Sequence, residues 1–150
     1  TYDVSLVHRG RIPKTRETWI GQPFRGHMTG FPSINIKSVG AGGGSIARVD
    51  SGGMLHVGPQ SAGAVPGPVC YNLGGAEPTL TDAALVLGYL NPERFCGGGT
   101  DLRVDLAKAA LTRHIADPRA VTIDEAALGI LRVCITKMVC AVRTLTLERG

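Results

Sequence analysis

The chain has 150 residues, 43% of them hydrophobic and 19% charged, and this composition excludes a disordered tail. Its 21 glycines and 9 prolines are more than an average domain carries, which predicts much irregular backbone. The net charge of +4 is modest, the arginines are scattered and aromatic residues make up only 5%. A nucleic-acid surface would need a basic stripe with interleaved aromatics, so we expect no nucleic-acid partner.

Cysteine and histidine spacing argues against a structural metal. Cys70, Cys96, Cys134 and Cys140 form no CxxC pair, and the four histidines show no metal-binding spacing either. Reduced thiols packed as small apolar side chains are the simpler interpretation. No apolar run reaches the roughly 18 residues of a membrane span, and no charged leader precedes an apolar stretch. These observations predict a cytoplasmic protein with no membrane partner.

The first sixty residues are predicted to form strands. Segments with strand-like composition or alternating polarity cover residues 3–8, 17–20, 33–39, 45–50 and 54–57. The last two flank the Ser51-Gly52-Gly53 turn and are expected to pair as a hairpin. Residues 58–80 carry four prolines and five glycines, so we expect a long irregular loop there.

The last seventy residues are predicted to be helical. A first helix opens at Thr81-Asp82 and covers 83–90, a second covers 105–115, and Pro118 separates the second from a third, longer helix. Thr122 and Glu125 have the spacing of a capping box for the third helix. Strands followed by helices indicate an α/β or α+β layer.

A run of glycines links two of the predicted strands. Gly42, Gly43 and Gly44 precede Ser45, and glycines let backbone N–H groups approach an anion that a Cβ would keep away. The run is not a Walker loop, and the strand-like residues after Ser45 exclude a dinucleotide fingerprint. A plain turn between two strands explains the same pattern, so both interpretations stay open.

Three further residues are candidates for chemistry. Asp82 follows two hydroxyl residues at a helix start, where Asp82 or Thr81 could equally be an N-cap without function. Asp3 lies in the first strand, where a carboxylate could hold Mg²⁺ or orient a water. Thr1 could act as a nucleophile with its own amine as base, although a processed or separately numbered chain end is simpler.

Five short segments, taken together and in their order along the chain, are more specific than any one of them alone. They read DVSLV at 3–7, VGAGGGSIA at 39–47, VGPQSAGA at 57–64, PGPVCY at 66–71 and PTLTDA at 78–83. Together they resemble the hydantoinase A and 5-oxoprolinase family, which includes subunits of acetone and acetophenone carboxylases. The likeness continues through Glu148-Arg149-Gly150.

The resemblance implies an ATP-dependent enzyme with an actin-like, ribonuclease H-related α/β fold, in which two glycine-rich turns hold the nucleotide phosphates. Only the tail of the family's second phosphate motif is present, as Thr1 to Leu6. The first phosphate motif and a later Gly-Gly-Ala-Gly segment are absent from residues 1–150. The segment is therefore expected to be an incomplete part of a larger ATPase-type domain, or a split subunit completed by partner chains.

The chemistry that the resemblance implies is phosphorylation of an amide or enol oxygen, in a cyclic-amide hydrolase or a ketone carboxylase with several subunits. The small-molecule substrate would be an amide or a ketone, with ATP and Mg²⁺ as cofactors. Asp3 would be catalytic and bind the metal. The residues expected to bind ATP are Thr1, Asp3, Gly42, Gly43, Gly44, Ser45 and Asp82. The alternative is a non-catalytic assembly subunit whose glycine loop faces an interface.

Overall fold

The computed structural model describes residues 1–22 and 24–149, so Gly150, the last residue of the family likeness, lies outside it. The strands in chain order are β1 Tyr2–Val4, β2 Lys14–Thr15, β3 Trp19–Ile20, β4 His27–Met28, β5 Ser33–Ile34, β6 Lys37–Val39, β7 Ser45–Val49 and β8 Leu55–Ser61. The α-helices are α1 Leu80–Val86, α2 Val104–Leu111, α3 Asp117–Arg119 and α4 Ile123–Arg149. The expected α/β class, with strands in the first half and helices in the second, is confirmed at this level.

The strands form antiparallel pairs: β1 with β6, β2 with β5, β3 with β4 and β7 with β8. The single strand predicted over 33–39 is two strands, because Ser33 and Ile34 pair with β2 whereas Lys37 to Val39 pair with β1. The first strand is also shorter than the predicted 3–8, since its pairing with β6 ends at Val4. β2 and β4 were not predicted, and their two-residue length is too short to show alternation.

The hairpin predicted around the Ser51-Gly52-Gly53 turn is confirmed, but β8 runs further than expected. Its pairing with β7 jumps from Ala47–Val57 to Ser45–Ser61, so three residues of β8 bulge out of the ladder. Pro59 has no N–H to donate and lies inside this bulge, where none is needed. The prediction that 58–80 holds no regular element is therefore wrong: β8 continues to Ser61, and Val69–Tyr71 form a short 3₁₀ turn.

The helices begin slightly differently from the prediction. Thr79, not Thr81 or Asp82, is the N-cap of α1, and Asp82 is the third helical residue of a complete capping box. The second helix continues from α2 through a π-helical turn, Thr112–Ala116, into α3, where Pro118 is tolerated in the first turn. The predicted Thr122–Glu125 capping box is confirmed at the start of α4, with Thr122 N and Oγ1 each 2.9 Å from Glu125 Oε2.

The main core lies where α4 crosses the hairpin, α1 and the π-helical turn. Val57, Leu111, Ile115 and Ile130 are almost completely buried there. Burial of these side chains is the principal force holding the two halves together. This packing brings the loop between β6 and β7 against the start of α1 and the middle of α4. Within the described residues no helix is long and apolar enough to cross a membrane.

Candidate nucleotide site

The loop between β6 and β7 is closed by Ser45. The Gly42 amide donates to Ser45 Oγ over 3.0 Å, and the Ser45 amide donates to the Gly42 carbonyl over 2.9 Å. The Ser45 side chain is buried, so its hydroxyl acts as an acceptor inside the loop. Ser45 therefore holds the glycine run in one compact conformation.

The two glycines at the tip of the loop use their carbonyls and leave their amides free. The Gly43 carbonyl accepts from the Thr81 amide, and the Gly44 carbonyl accepts from the Ala62 amide, both at 2.9 Å. Among the hydrogen bonds of the described residues, the amides of Gly43 and Gly44 donate to no group. Consecutive unpaired N–H groups in a concave loop are the arrangement that binds anions.

The glycines are required by crowding and not by unusual backbone angles. Gly42, Gly43 and Gly44 all lie outside the left-handed region. A Cβ at Gly43 would lie 2.8 Å from Thr81 Oγ1, and one at Gly44 would lie 2.8 Å from Ser61 Oγ. A Cβ at Gly42 would come within 3.1 Å of the backbone nitrogen of Thr1. A side chain at these positions would therefore require the Thr81 or Ser61 hydroxyl or the Thr1 backbone to shift.

These contacts bring most of the expected site residues together. A cavity of about 90 Å³ is lined by Thr1, Gly42, Gly43, Gly44 and Ser45, with Gly40, Pro59 and Ser61 completing the wall. Thr1 lies more than forty positions before Ser45 in the chain, and the β1–β6 pairing brings it to the loop. The cavity has room for a small anionic group.

Asp3 lies beside this cavity without lining it. It is an exposed residue in the middle of β1, paired with Ser38, and its Oδ2 accepts from Thr1 Oγ1 over 3.3 Å. Within the described residues, no three His, Cys, Asp or Glu side chains cluster closely enough to hold a metal ion. Mg²⁺ bound to a nucleotide often takes only one or two carboxylates from a protein, so a single exposed Asp3 is compatible with that role.

Asp82 is placed differently from the other expected residues, because its side chain is completely buried. Its oxygens accept from the amides of Val69 at 3.2 Å, Cys70 at 2.8 Å and Thr79 at 2.8 Å, and from Thr79 Oγ1 at 2.8 Å. The carboxylate thus ties the 69–70 backbone to the start of α1. This geometry favours a positioning role for Asp82, one helical residue after the Thr81 that contacts the glycine loop.

The structure adds residues of α4 that the sequence did not indicate as part of this region. Lys137 Nζ donates to the Val57 carbonyl, just before the β8 bulge. Cys134, one turn earlier, is buried beneath the loop. Burial raises the pKa of the Cys134 thiol, while Lys137 and the Gly42 amide act in the opposite direction. The i, i+3 spacing of Cys134 and Lys137 is the sequence signal that places both on one side of α4. Core packing explains the same spacing, so it does not indicate a site.

The sequence profile of the hydantoinase/oxoprolinase family matches residues 1–150. The alpha subunit of caprolactamase from Pseudomonas jessenii is 43% identical over 150 residues, which is 100% of this chain and 21% of that subunit. The gamma subunit of acetophenone carboxylase from Aromatoleum aromaticum is 50% identical over 151 residues, which is 100% of this chain and 20% of that subunit.

Three-dimensional similarity agrees with sequence similarity. The crystal structure of the ATP-dependent caprolactamase from Pseudomonas jessenii matches with a TM-score of 0.84 and 43% identity, covering 99% of this chain and 21% of that one. The chain thus spans about a fifth of the length of these relatives. A profile match over all 150 residues, supported by this structural agreement, shows that the chain belongs to the hydantoinase/oxoprolinase family.

Proposed function

We propose that this chain supplies part of the ATP site of an enzyme that phosphorylates an amide or enol oxygen of a small cyclic amide or ketone. The observation that carries the proposal is that the Gly43 and Gly44 amides have no partner among the described residues and that both glycines line a small cavity with Thr1 and Ser45. The caprolactamase from Pseudomonas jessenii, a relative of known structure, is ATP-dependent, which supports ATP as the nucleotide.

The roles of the residues follow from what phosphoryl transfer requires. The reaction depends mainly on positioning and on neutralising charge that develops on the phosphate oxygens. The Gly43 and Gly44 amides would hold these oxygens, while the Thr1 hydroxyl, which donates its one proton to Asp3 Oδ2, would orient that carboxylate. Asp3, hydrogen-bonded to the cavity-lining Thr1, would bind Mg²⁺, which supplies charge neutralisation when bound. Asp82 would act indirectly by fixing the start of α1 under the loop.

The actin-like fold, the partner subunits and the cellular location of the whole protein are also proposals. An actin-like fold would place this loop as one of two phosphate-binding turns, the other lying outside these 150 residues. Two relatives are named as subunits, which supports other subunits as partners of this chain. A cytoplasmic location is compatible with both proposals. The competing proposal, a non-catalytic assembly subunit, requires the glycine loop to face another chain and not ATP.

The test adds a Cβ at the loop tip without disturbing the packing below it. Gly43→Ala alone would meet Thr81 Oγ1 at 2.8 Å, so the informative variant is Gly43→Ala combined with Thr81→Ala, compared with Thr81→Ala alone. We expect the added methyl to weaken ATP binding by about tenfold, because a Cβ beside the Gly43 amide keeps a phosphate oxygen from approaching closely enough for a charge-assisted hydrogen bond. Calorimetric titration of the full-length protein with Mg-ATP measures this affinity, and a thermal melt without nucleotide measures stability.

Gly99→Ala is the matched control, since Gly99 has ordinary backbone angles and its Cβ would lie 3.7 Å from the nearest atom. This variant should leave ATP affinity unchanged. Unaltered ATP affinity in the double variant, together with lost association of partner subunits, would instead favour the assembly role.

A further inference from the structure

A second cavity lies next to the glycine-loop cavity and has a different character. It has a volume of about 410 Å³ and lies between β6, Pro59 of β8 and the middle of α4. Gly40 and Pro59 line both cavities, so the two share a wall. The remaining walls are mainly apolar and include Val39 and Ala141. Nothing in the proposed nucleotide contacts uses this space.

Two lysines from distant parts of the chain line this cavity. Lys37 comes from β6 and Lys137 from α4, and both are half-buried. Lys137 Nζ donates to the Val57 carbonyl, which uses one of the three N–H donors of an ammonium group. The lining hydroxyls of Thr136 and Thr144 donate to backbone carbonyls of α4 itself. The lysines therefore supply the cavity's unused charged donors.

Neither lysine has an acidic partner in the described part of the chain. The ion pairs found there are His56 with Asp50 and Arg103 with Asp105, both away from this cavity. The side chains that line the cavity include no carboxylate. Two half-buried lysines beside apolar walls, with no carboxylate lining the cavity, favour the binding of an anion, and their attraction for it is stronger there than in bulk water.

We propose that Lys37 and Lys137 form an oxyanion-binding subsite, taking a phosphate or carboxylate group whose apolar neighbour atoms pack on Val39, Pro59 and Ala141. The volume exceeds what an inorganic anion needs, and the apolar walls fit the body of a small organic acid or phosphate ester. The placement of this subsite against the nucleotide rests on the proposed function, because the Gly40–Pro59 wall separates the two cavities. The binding of an oxyanion itself does not depend on ATP.

The experiment measures binding of inorganic phosphate and of benzoate to the full-length protein by calorimetry, with and without saturating Mg-ATP. We expect both probes to bind at millimolar concentrations and Lys137→Met or Lys37→Met to weaken that binding about tenfold. Lys137→Arg keeps the charge and should stay within about threefold of the natural protein. Lys108→Met on α2 removes an exposed lysine far from the cavity and should change nothing.

Each outcome bears on the proposal. Competition between Mg-ATP and the probes would identify the oxyanion as a nucleotide phosphate, whereas simultaneous binding would identify it as a group on the second substrate; both support the subsite. Absence of probe binding to the natural protein overturns it, as does unchanged binding in Lys137→Met with only a lowered melting temperature. Equal weakening in Lys108→Met would also overturn it, since binding would then depend on net charge alone.

The experiments distinguish failure of the oxyanion subsite from failure of the proposed function. If Mg-ATP does not bind but phosphate binds in a Lys137-dependent way, the nucleotide proposal is wrong and the subsite stands. If adding Gly43→Ala to Thr81→Ala weakens ATP binding while Lys137→Met leaves probe binding unchanged, the oxyanion subsite is wrong and the nucleotide proposal stands.

Discussion

The two aspartates expected at the nucleotide site have opposite environments, and this difference assigns them different tasks. Asp3 is exposed on β1 and accepts a hydrogen bond only from Thr1 among the described side chains. Asp82 is completely buried and accepts from three backbone amides and one hydroxyl. Burial of the Cys70 thiol raises its pKa, and the negative charge of the neighbouring Asp82 raises it further, so Cys70 stays a neutral core residue. An accessible carboxylate can bind a ligand, whereas a buried, saturated one orders the backbone around it.

A matched pair of isosteric substitutions tests this division. Asp3→Asn should lower ATP-dependent turnover about tenfold or more while the melting temperature of the full-length protein changes little, because it removes a charge used in the reaction. Asp82→Asn should lower the free energy of unfolding by about 1–3 kcal/mol, because its amide NH₂ group would face backbone N–H donors. Steady-state kinetics and denaturant unfolding measure the two effects.

Asp101→Asn, at an exposed carboxylate of a connecting segment, is the control for both measurements and should behave as the natural protein. A stable Asp82→Asn protein that fails to bind ATP would contradict the positioning role and restore direct contact. A poorly folded Asp3→Asn protein would show that Asp3 is structural.

At the scale of elements, the β7–β8 hairpin carries a local network built on Asp50. Asp50 Oδ1 accepts from the amides of Gly52 and Met54, both at 2.9 Å, which closes the turn. Asp50 Oδ2 lies 2.7 Å from His56 Nε2 across the strand pair. The hydrogen bond with His56 is the largest cause that lowers the pKa of Asp50, followed by the Met54 amide. An ionised Asp50 therefore stabilises the turn of the hairpin.

This network predicts an acid-sensitive hairpin. The folded carboxyl has a lower pKa than the unfolded value of 3.8, so the unfolded chain takes up a proton first as the pH falls. The contribution of Asp50 is complete above the unfolded pKa and is lost as the pH falls through the folded pKa. We expect Asp50→Asn to reduce the drop in melting temperature between neutral pH and about pH 3. Melts across this range test it, and an identical pH profile would contradict it.

At the scale of the whole molecule, large apolar side chains remain exposed in several places, and two of these hold most of them. One is region 7–36, with the two-residue strands β2 to β5, where Phe24 is 86% and Phe31 75% exposed. The other is the outer face of α4, including Ile135 and Val139. Clusters of exposed large apolar side chains often mark surfaces that contact other protein. Because the chain spans about a fifth of its relatives' length, further parts of such a protein are candidates to cover these faces.

We expect residues 1–150, produced alone, to aggregate or bind partner chains and to show no ATP turnover. The physical reason is the exposed apolar surface, together with a proposed nucleotide site to which residues 1–150 contribute one glycine loop. Light scattering and a phosphate-release assay measure the two properties, with the full-length protein as the control. Monomeric material with ATP turnover that Asp3→Ala abolishes would contradict this expectation.

Features set by neighbours in the chain could be read from the sequence. The Thr122–Glu125 capping box and the hairpin around Gly52 depend on hydrogen bonds that span only a few residues, so composition and spacing predict them. The glycine loop was recognisable for the same reason, and the order of short motifs along the chain was sufficient to indicate the family, which the profile match confirms. The assignment of ATP-binding roles to individual residues stays a prediction.

Tertiary structure alone decided which of these residues meet. The burial of Asp82 depends on the 69–70 backbone, the pairing of β1 with β6 brings Thr1 to the glycine loop, and Lys137 reaches a carbonyl 80 positions earlier. None of these contacts leaves a periodic signal, because each joins segments whose separation is set by packing and not by spacing along the chain. An exposed and a buried aspartate look alike in a sequence; only the folded backbone determines that one is open to solvent and the other is enclosed.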